Sequence, residues 1–305
     1  MTYVMSDIHG NMRRFRSVME QIDLQPDDML YVLGDVIDRH PDGIAILQEL
    51  ISMPNVKMLL GNHEYMMLDV VDQQKDTCDD IDFADSYYAL ALWYQNGGEA
   101  THAAFDALPD DQQKEIITYL RSLPLNLDIE VRGLPYHLIH GGDLNYYDRQ
   151  KHRYPDQTKY AVWYRRSPYE ERSRDYMPIF GHTPTRYYQT GRILCIWNDS
   201  YQLGIDCGSG YPDWDSITDK QYRGRLACLR LDDMETFYSK EKYRAYKTVS
   251  ENMMMEALER AELESYYEFF GIEQGSIISD ETNPMDDNLS EERNLFQSTH
   301  EEEEI

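Results

Sequence analysis

Residues 1–64 repeat one pattern, a short apolar run that ends in a polar loop rich in acid, histidine or asparagine. The three runs cover residues 3–5, 29–32 and 56–60, and helical patterns occupy residues 12–22 and 43–53 between them. Short apolar runs bounded by glycine and polar residues predict buried strands. A succession of strand, loop, helix and strand predicts βαβ units in a largely parallel sheet. Ligands bind such sheets at the loops beyond the carboxyl ends of the strands.

The same pattern returns twice in the middle of the chain. Residues 136–139 end at His140-Gly141-Gly142, and residues 177–180 end at Gly181-His182. Three further apolar runs predict strands that complete a second sheet: residues 193–196, 202–206 and 224–231. Asp206-Cys207-Gly208, at the end of one of them, is predicted to be a structural turn. We therefore expect an α/β fold with two β-sheets.

Between these two regions, apolar residues recur at helical spacing. The segments are 65–71, 87–94 and 112–123, and no strand pattern separates them. They predict a helical insertion over one side of the site, at about residues 65–125. Seven aspartates of the insertion favour a solvated loop: Asp69, Asp72, Asp76, Asp79, Asp80, Asp82 and Asp85. A separate calcium site is the alternative, although the spacing does not match an EF-hand.

The C-terminal part of the chain changes character again. Residues 250–270 follow an amphipathic helical pattern that ends at Gly271. Residues 271–305 carry eleven acidic side chains and one arginine, which predicts a disordered tail. We expect a principal domain at residues 1–240, a helical extension at 241–271 and an acidic tail at 272–305.

Composition narrows the classes of protein. The formal net charge is −27, of which ten charges fall in residues 271–305. This argues against nucleic acid as the ligand, because binding to its backbone needs a basic surface. We see no apolar run long enough for a transmembrane helix and no signal peptide before the first strand. The four cysteines form no C-x-x-C pair, so we expect free thiols in the cytoplasm.

One segment is basic within this acidic chain. Residues 149–192 contain ten lysine or arginine residues against four acidic ones, interleaved with tyrosines. The segment could be the wall that receives an anionic substrate, or it could pair with the acidic insertion, and the sequence leaves both open. The acidic tail could also fold back on it as a weak autoinhibitor.

Side chains that can bind metal follow all five strand patterns: Asp7, His9, Asp35, Asn62, His140 and His182. Oxygen and imidazole donors without thiolate suit Mn, Fe, Zn or Co. Six donors are too many for one tetrahedral ion, but they fit two ions if one carboxylate, Asp35, is shared. Two ions about 3.5–4 Å apart can activate a water for in-line attack on phosphorus. Each motif alone could be a turn, a helix cap or a surface pair, but the five together indicate a functional site.

The ordered motifs resemble those of the calcineurin-like metallophosphoesterases: Asp7-Ile8-His9, Gly34-Asp35-Val36-Ile37-Asp38-Arg39, Gly61-Asn62-His63-Glu64, His140-Gly141-Gly142 and Gly181-His182. Asp38-Arg39 and Glu64 are typical of the phosphoprotein phosphatase branch, in its bacterial and phage serine/threonine form. Residues 93–101 are similar to a segment of the bacterial members. The resemblance covers about residues 1–235. It implies a four-layer αββα sandwich, two mixed β-sheets packed face to face and flanked by helices.

The resemblance also implies a dinuclear metal centre. One ion, most suitably Mn²⁺, would be held by Asp7, His9 and Asp35. The other would be held by Asp35, Asn62, His140 and His182. A bridging water or hydroxide would attack phosphorus directly, so no phosphoenzyme is expected.

The remaining motif residues would act on the substrate. His63 would protonate the leaving alkoxide, and Asp38 would orient the imidazole of His63. Arg39 would hold the phosphoryl oxygens, with Asn62 beside them. A second phosphate-binding arginine is expected after a tryptophan in the basic segment. The sequence Trp163-Tyr164-Arg165 fits, so Arg165 is preferred over Arg166.

These roles predict an enzyme that hydrolyses phosphoserine or phosphothreonine in proteins, with phosphotyrosine as a further candidate. A symmetrical dinucleoside tetraphosphate hydrolase on the same site is the alternative, because specificity would lie in the insertion and the basic segment. A catalytically inactive scaffold that binds phosphoproteins is the third interpretation, but no ligand or acid is missing from the motifs. The expected partner is a phosphoprotein or a phosphorylated small molecule, and neither nucleic acid nor a membrane.

Overall fold

The computed structural model describes residues 1–75, 83–170, 173–189, 193–212 and 222–240. The strands in these residues are β1 Thr2–Met5, β2 Met29–Val32, β3 Val56–Met58, β4 Asn126–Val131, β5 Leu134–Ile139, β6 Met177–Phe180, β7 Trp197–Asn198, β8 Leu203–Gly204, β9 Ala227–Arg230 and β10 Glu235–Tyr238. The helices are α1 Met12–Ile22, α2 Gly43–Ser52, α3 Asn62–Lys75, α4 Phe83–Gln95, α5 Glu99–Asp106, α6 Asp110–Arg121, α7 Tyr147–Gln150 and α8 Gln157–Trp163. The predicted helix at 250–270 and the acidic tail lie outside the described residues, so the boundaries at 240 and 271 stay predictions.

The strands form two five-stranded sheets. Sheet A has the order β10-β9-β1-β2-β3, with β1, β2 and β3 parallel and β9 antiparallel to β1. Sheet B has the order β4-β5-β6-β8-β7, with β5, β6 and β8 parallel. Thr2 pairs with Met29 in sheet A, and Tyr136 pairs with Met177 in sheet B. Because parallel strands end at the same edge of a sheet, the five motif loops collect at these edges.

Alternation along β1 separates the two faces of sheet A. Val4 belongs to a buried cluster that also contains Leu138 of β5 and Ile179 of β6, so this face packs on sheet B. Its neighbour Met5 belongs to a second cluster with Phe15 of α1, so the opposite face is covered by helices. The predicted fold class is confirmed: two mixed β-sheets, flanked by helices.

The first helix illustrates how the sequence sets an element. The Asn11 side chain accepts the backbone N–H of Arg14 at 3.1 Å and caps the N-terminus of α1. Asp23 adopts a left-handed conformation, φ 44°, and ends the helix. Phe15 and Val18 form its buried face. The predicted helix at residues 12–22 is confirmed.

The insertion is helical, as expected from its spacing, and three of its helices were predicted: α3, α4 and α6. The fourth, α5, begins after Gly98 and was not predicted, although Ala100, Ala103 and Ala104 fall at helical spacing. Most of the acidic segment between α3 and α4 lies outside the described residues. Asp72, which is described, pairs with Arg121 of the same insertion.

Several strand predictions need correction. Residues 193–196 are not a strand: Leu194 is fully buried, but pairing begins only at β7. An apolar run indicates that its residues are buried, but it does not show whether their backbone pairs with another strand. The predicted strands at 202–206 and 224–231 shorten to β8 and β9. The strands β4 and β10 were not predicted. Each is an edge strand of its sheet and pairs antiparallel with the neighbouring strand.

The cysteines and the lengths of the helices can also be compared with the structure. Cys195, Cys207 and Cys228 are free thiols, as expected. Among the described residues, each helix is too short or too polar to cross a membrane.

Candidate metal centre

Backbone hydrogen bonds join the motif loops into one site. Asp7 donates its N–H to Gly34 O at 3.1 Å, and His9 donates its N–H to Asp35 O at 3.0 Å, which holds the loop after β1 on the loop after β2. The N–H of Gly181, after β6, donates to His140 O at 3.0 Å. The strand ends of both sheets therefore present their side chains to a common space.

The motif loops adopt left-handed backbone conformations at residues other than glycine. Within the described chain, the positive φ values include 54° at Asp7, 53° at His9, 55° at Asp35, 72° at Asp38, 65° at Arg39 and 60° at His182. Such conformations are uncommon for residues with a Cβ and are held only by the surrounding structure. Each of these six residues had been predicted for the site from its type and position, but the backbone conformation had not.

Two groups of side chains are close enough to hold a metal ion. The first contains His9, Asp35 and His63, and the second contains Asp35, His140 and His182; within each group the donor atoms lie within 4.8 Å of one another. Asp35 belongs to both. Its Oδ2 lies 3.8 Å from His9 Nε2, and its Oδ1 lies 3.4 Å from His140 Nε2. The two oxygens of one carboxylate thus face different groups, which is the arrangement that a shared ligand requires.

Hydrogen bonds to backbone carbonyls set the tautomers of the three histidines. His9 Nδ1 lies 3.2 Å from Ile37 O, and His140 Nδ1 lies 2.6 Å from Leu33 O. His182 is reversed, with Nε2 3.2 Å from Trp163 O. Since a carbonyl only accepts, the facing nitrogen carries the proton and the other nitrogen has the lone pair. Histidines that ligate metals typically donate their other ring N–H to a carbonyl or carboxylate in this way.

Asn62 provides a direct test of whether a cation fits. Its Oδ1 lies 3.0 Å from His140 Nε2 and both atoms are acceptors, because the proton of His140 is on Nδ1. Asp35 Oδ1 is a third acceptor, 3.4 Å from the same nitrogen. Three buried acceptors that face one another without a hydrogen repel, and a cation between them removes the repulsion. The second group therefore fits a divalent metal ion.

Asp7 lies beside the first group without being a member of it. Its Oδ1 is 3.9 Å from His9 Nε2, and its carboxylate accepts the Ser6 hydroxyl and the backbone N–H of His182. Gly181 permits this approach, because a Cβ there would overlap Ser6 and Asp7. The geometry groups His63 with His9, whereas the resemblance assigns Asp7 to that ion, and an experiment must separate the two.

Burial is the main influence on the ionisable groups. It raises the pKa of Asp35 well above its ordinary value, and the carboxylates of Asp7 and Glu64 raise it further. Burial lowers the pKa of His140 to about 3 and lowers the pKa of His182 well below its ordinary value. The histidines are therefore neutral at pH 7, the form that ligates metal. The buried carboxylates are unstable as anions until a cation lies beside them.

His63 and Asp38 form a buried pair at the edge of the first group. His63 Nδ1 lies 2.7 Å from Asp38 Oδ2, and Asp38 is fully buried. Burial raises the pKa of Asp38 to about 7, against the opposing effects of the hydrogen bond from the Trp93 indole and of the Arg39 charge. His63 Nε2 points back toward Asp35, 3.9 Å from Oδ2. The imidazole thus connects a buried carboxyl group with the centre of the site.

Glu64 has a structural role that the motif comparison did not reveal. Its side chain is fully buried and accepts the backbone N–H groups of Asp35 and Val36 at 2.8 Å and of Gly61 at 3.1 Å. Glu64 is the third residue of α3, and its bond to Gly61 is one half of a capping box. That spacing was a readable signal in the sequence. Glu64 therefore joins the loop of Asp35 to the N-terminus of α3, which carries Asn62.

The two arginines of the basic segment lie in different surroundings. Arg165 is half-buried and donates from Nη1 to His182 O at 3.1 Å, at the second group. Arg166 is buried, donates from Nε to Gln202 Oε1 at 2.7 Å and lies over the Phe180 ring. Arg165 therefore stays the predicted phosphate ligand of the two, because it lies beside the second group and is not fully buried.

Asp206-Cys207-Gly208 was predicted only as a structural turn, but the segment that begins there, residues 206–212, also reaches the site. Asp206 Oδ1 accepts the N–H of Gly208 at 2.8 Å, as in a turn. The buried guanidinium of Arg14 donates to the carbonyls of Ser209 and Tyr211 at 2.7 Å. At Gly210 a Cβ would come within 2.7 Å of both His9 and Arg39. The sequence analysis missed Arg14, since an arginine on a helix is ordinarily solvated.

Two mixed sheets that present buried carboxylates, histidines and an asparagine at their strand ends are typical of a metallophosphoesterase. The calcineurin-like phosphoesterase family matches residues 2–205, more than half of the chain. The chain belongs to this family.

Individual relatives and solved structures are more distant. A symmetrical bis(5'-nucleosyl)-tetraphosphatase of Erwinia tasmaniensis is 32% identical over 99 residues, 30% of this chain and 36% of the relative. The match thus spans about a third of that relative's length. A metallophosphoesterase from Sphaerobacter thermophilus superposes with a TM-score of 0.45 at 16% identity, over 86% of this chain and 98% of the other. A protein serine/threonine phosphatase from Saccharomyces cerevisiae gives 0.41 at 14% identity, over 80% and 83%.

Proposed function

We propose that the protein is a phosphomonoesterase with two divalent metal ions, most suitably Mn²⁺, that hydrolyses phosphoserine and phosphothreonine in proteins. The observation that carries this proposal is the buried pair of His63 and Asp38, whose facing atoms are 2.7 Å apart. Asp38 holds Nδ1 of the imidazole and so directs Nε2 toward the centre of the site, where a proton donor to the leaving oxygen is needed.

The buried carboxylate, imidazole and amide donors suit divalent metal ions, and we propose a set of protein ligands for each of two ions. Asp7, His9 and Asp35 would hold one ion, and Asp35, Asn62, His140 and His182 the other. When bound, such ions supply an activated water as nucleophile and polarise the phosphoryl oxygens. Burial of these side chains excludes bulk water from the donors and strengthens their hold on a cation.

Arginines and an amide provide the contacts for the phosphoryl group. Arg39 Nη2 lies 3.5 Å from His63 Nε2, so the guanidinium and the acid reach the same point. Arg165 lies beside His182, to whose carbonyl oxygen it donates. The planar fork of arginine binds two phosphoryl oxygens at once. With the amide of Asn62, these groups would orient the phosphorus for attack opposite the leaving oxygen.

The leaving group distinguishes the two substrate classes. A serine or threonine alkoxide is a strong base and leaves slowly unless it is protonated during cleavage. The nucleoside diphosphate that leaves a dinucleoside tetraphosphate is a far weaker base and gains little from an acid. A buried acid pair is therefore more useful to a phosphomonoesterase that acts on alcohol esters.

The relatives favour a second candidate, symmetrical hydrolysis of dinucleoside tetraphosphates, because that is the activity for which they are named. Their match to this chain is partial in both directions. We keep this activity as the alternative on the same metal centre.

The deciding experiment compares two substrates with the full chain in Mn²⁺. We expect turnover of a phosphoseryl peptide at a kcat/KM well above that for diadenosine tetraphosphate. We expect His63→Asn to lower the peptide rate by about 10²–10⁴-fold, the range of a positioned acid. A reversed preference would establish the alternative. Metal-bound protein that hydrolyses neither compound would support the scaffold interpretation.

A further inference from the structure

The helical insertion contacts the loop of Asp38 and Arg39 at three points. Trp93, on α4, donates its indole N–H to Asp38 Oδ2 at 2.9 Å. Thr101, on α5, accepts the backbone N–H of Asp38 at its hydroxyl oxygen, at 3.0 Å. Gly97, between these helices, accepts the backbone N–H of Arg39 at 3.0 Å. We call Trp93, Gly97 and Thr101 the clamp.

The turn between α4 and α5 is shaped to allow this approach. Gly97 has a φ of 89°, in the left-handed region, and a Cβ there would lie 3.0 Å from the backbone nitrogen of Arg39. At Gly98 a Cβ would overlap the indole ring of Trp93. Two adjacent glycines are thus needed for the turn to pack against both the ring and the arginine.

Trp93 donates to the same carboxylate oxygen of Asp38 that contacts His63. Its side chain is fully buried, and a buried indole N–H needs an acceptor. That acceptor is Asp38 Oδ2, the same oxygen that lies 2.7 Å from His63 Nδ1. Because the ring is fully buried, its N–H restrains the rotation of the carboxylate. The carboxylate in turn sets the direction of the imidazole.

The other two members of the clamp hold the backbone. Asp38 and Arg39 have φ values of 72° and 65°, conformations that persist only where neighbouring groups hold them. Thr101 and Gly97 accept the N–H groups of these two residues. The insertion therefore fixes both the side chain and the backbone of Asp38.

We propose that Trp93 is a positioning residue of the general acid: through Asp38 it holds His63 in line with the leaving oxygen. This role rests on the proposed function, since it presumes cleavage of a phosphomonoester. It assigns to the insertion a part in the chemistry that is separate from covering the site. Its effect should depend on how strongly the leaving group needs a proton.

The test uses Trp93→Phe, which keeps an aromatic ring and removes the N–H donor. Its kcat is measured on a phosphoseryl peptide, whose alkoxide needs protonation, and on 4-nitrophenyl phosphate, whose phenolate does not. We expect kcat for the peptide to fall about tenfold or more, within the range that a positioned acid supplies. The kcat for the aryl ester and the Mn²⁺ affinity measured by calorimetry should stay within about twofold of wild type.

Tyr94→Phe is the matched control. It removes the neighbouring hydroxyl, which lies 2.8 Å from His102 Nδ1, and it leaves Asp38 untouched. Thr101→Val is a second variant, nearly isosteric, which removes the acceptor for the Asp38 N–H. It should lower the peptide rate selectively even if Trp93→Phe unfolds.

The outcomes distinguish the positioning role of Trp93 from the proposed function. An equal loss on both esters, or no loss in either variant, overturns the positioning role and leaves the proposed function intact. A wild type that hydrolyses neither ester overturns the proposed function and the positioning role with it.

Discussion

Glu64 Oε2 accepts the backbone N–H of Asp35 at 2.8 Å, so one buried carboxylate holds the main chain of another. The same oxygen also accepts from Gly61, and Oε1 accepts from Val36. The distance between Asp35 and the start of α3, where Asn62 lies, is therefore set by a side chain that belongs to neither group of metal donors.

Glu64→Gln should weaken metal binding. The amide NH₂ would face backbone N–H groups that now donate to a carboxylate, and the loop of Asp35 would shift. Replacing an outer partner of a metal ligand typically lowers affinity by about 10–100-fold, measured here by calorimetric titration with Mn²⁺. Glu49→Gln is the control, since Glu49 pairs with Arg16 at the surface. Unchanged Mn²⁺ affinity in folded Glu64→Gln would contradict this role.

A second prediction decides between Asp7 and His63 as the ligand beside His9. We expect Asp7→Asn to lose one of two bound Mn²⁺ ions, because an amide is neutral and binds the ion weakly. His63→Asn should keep both ions and lose turnover if His63 has its proposed role as the acid. Metal content after gel filtration, measured by mass spectrometry, gives the answer. Loss of an ion in His63→Asn with retention in Asp7→Asn would reverse the assignment.

The neighbouring arginines provide a matched pair for the phosphate contact. Arg165→Ala should raise the inhibition constant of inorganic phosphate about tenfold, which corresponds to about 1.4 kcal/mol. Arg166→Ala should leave that constant unchanged and lower the melting temperature. It leaves buried Gln202 without a donor, at a cost of about 1–3 kcal/mol. Equal effects of both variants on phosphate inhibition would remove the distinction.

The stability of the fold should depend on pH through His137. Burial alone would lower the pKa of His137, but hydrogen bonds to Asp143 and Asp128 outweigh it and raise the pKa. Burial alone would raise the pKa of Asp143, but hydrogen bonds from His137 and Tyr176 outweigh it and lower the pKa. The histidine's contribution is present below its ordinary pKa of 6.5 and is lost as the pH rises through the raised value. The aspartate's contribution is present above 3.8 and is lost as the pH falls through the lowered value.

The His137 interaction therefore contributes most between these two limits. The difference in unfolding free energy between wild type and His137→Gln, from urea titrations, should be larger at pH 6 than at pH 8. A difference that does not change with pH would show that His137 stabilises only by packing.

Much of the architecture was readable because periodicity reports which residues are buried. The helix at 12–22 and the strand at 29–32 appear with the predicted bounds. The hairpin strand β4 was missed although Leu127, Ile129 and Val131 alternate with polar residues, the period of a half-buried strand. The error at 193–196 has the opposite cause, since burial of an apolar run carries no information about its hydrogen bonds.

The site residues were likewise predictable in their types but not in their contacts. The types of the donor residues were evident from their positions after strands. In the structure, donor atoms of Asp35, His140 and His182 lie within 4.8 Å of one another. Contacts between distant segments were not evident. Trp93 and Asp38 are separated by 55 residues, and the indole gives no local sign that its N–H faces a carboxylate. Likewise, Arg14 lies within a helical pattern whose tertiary partner is a loop near the other end of the described chain.

The position of β1 has a consequence for how the chain is made. This strand lies between β2 and β9, and Tyr3 pairs with Arg230, so one of its two neighbours is synthesised long after the other. Until β9 leaves the ribosome, β1 is an open sheet edge with unpaired N–H and C=O groups. The nascent chain must therefore be kept from pairing with other strands during most of its synthesis. A fragment that stops before residue 227 would retain this edge and aggregate, even though it contains each of the motif residues.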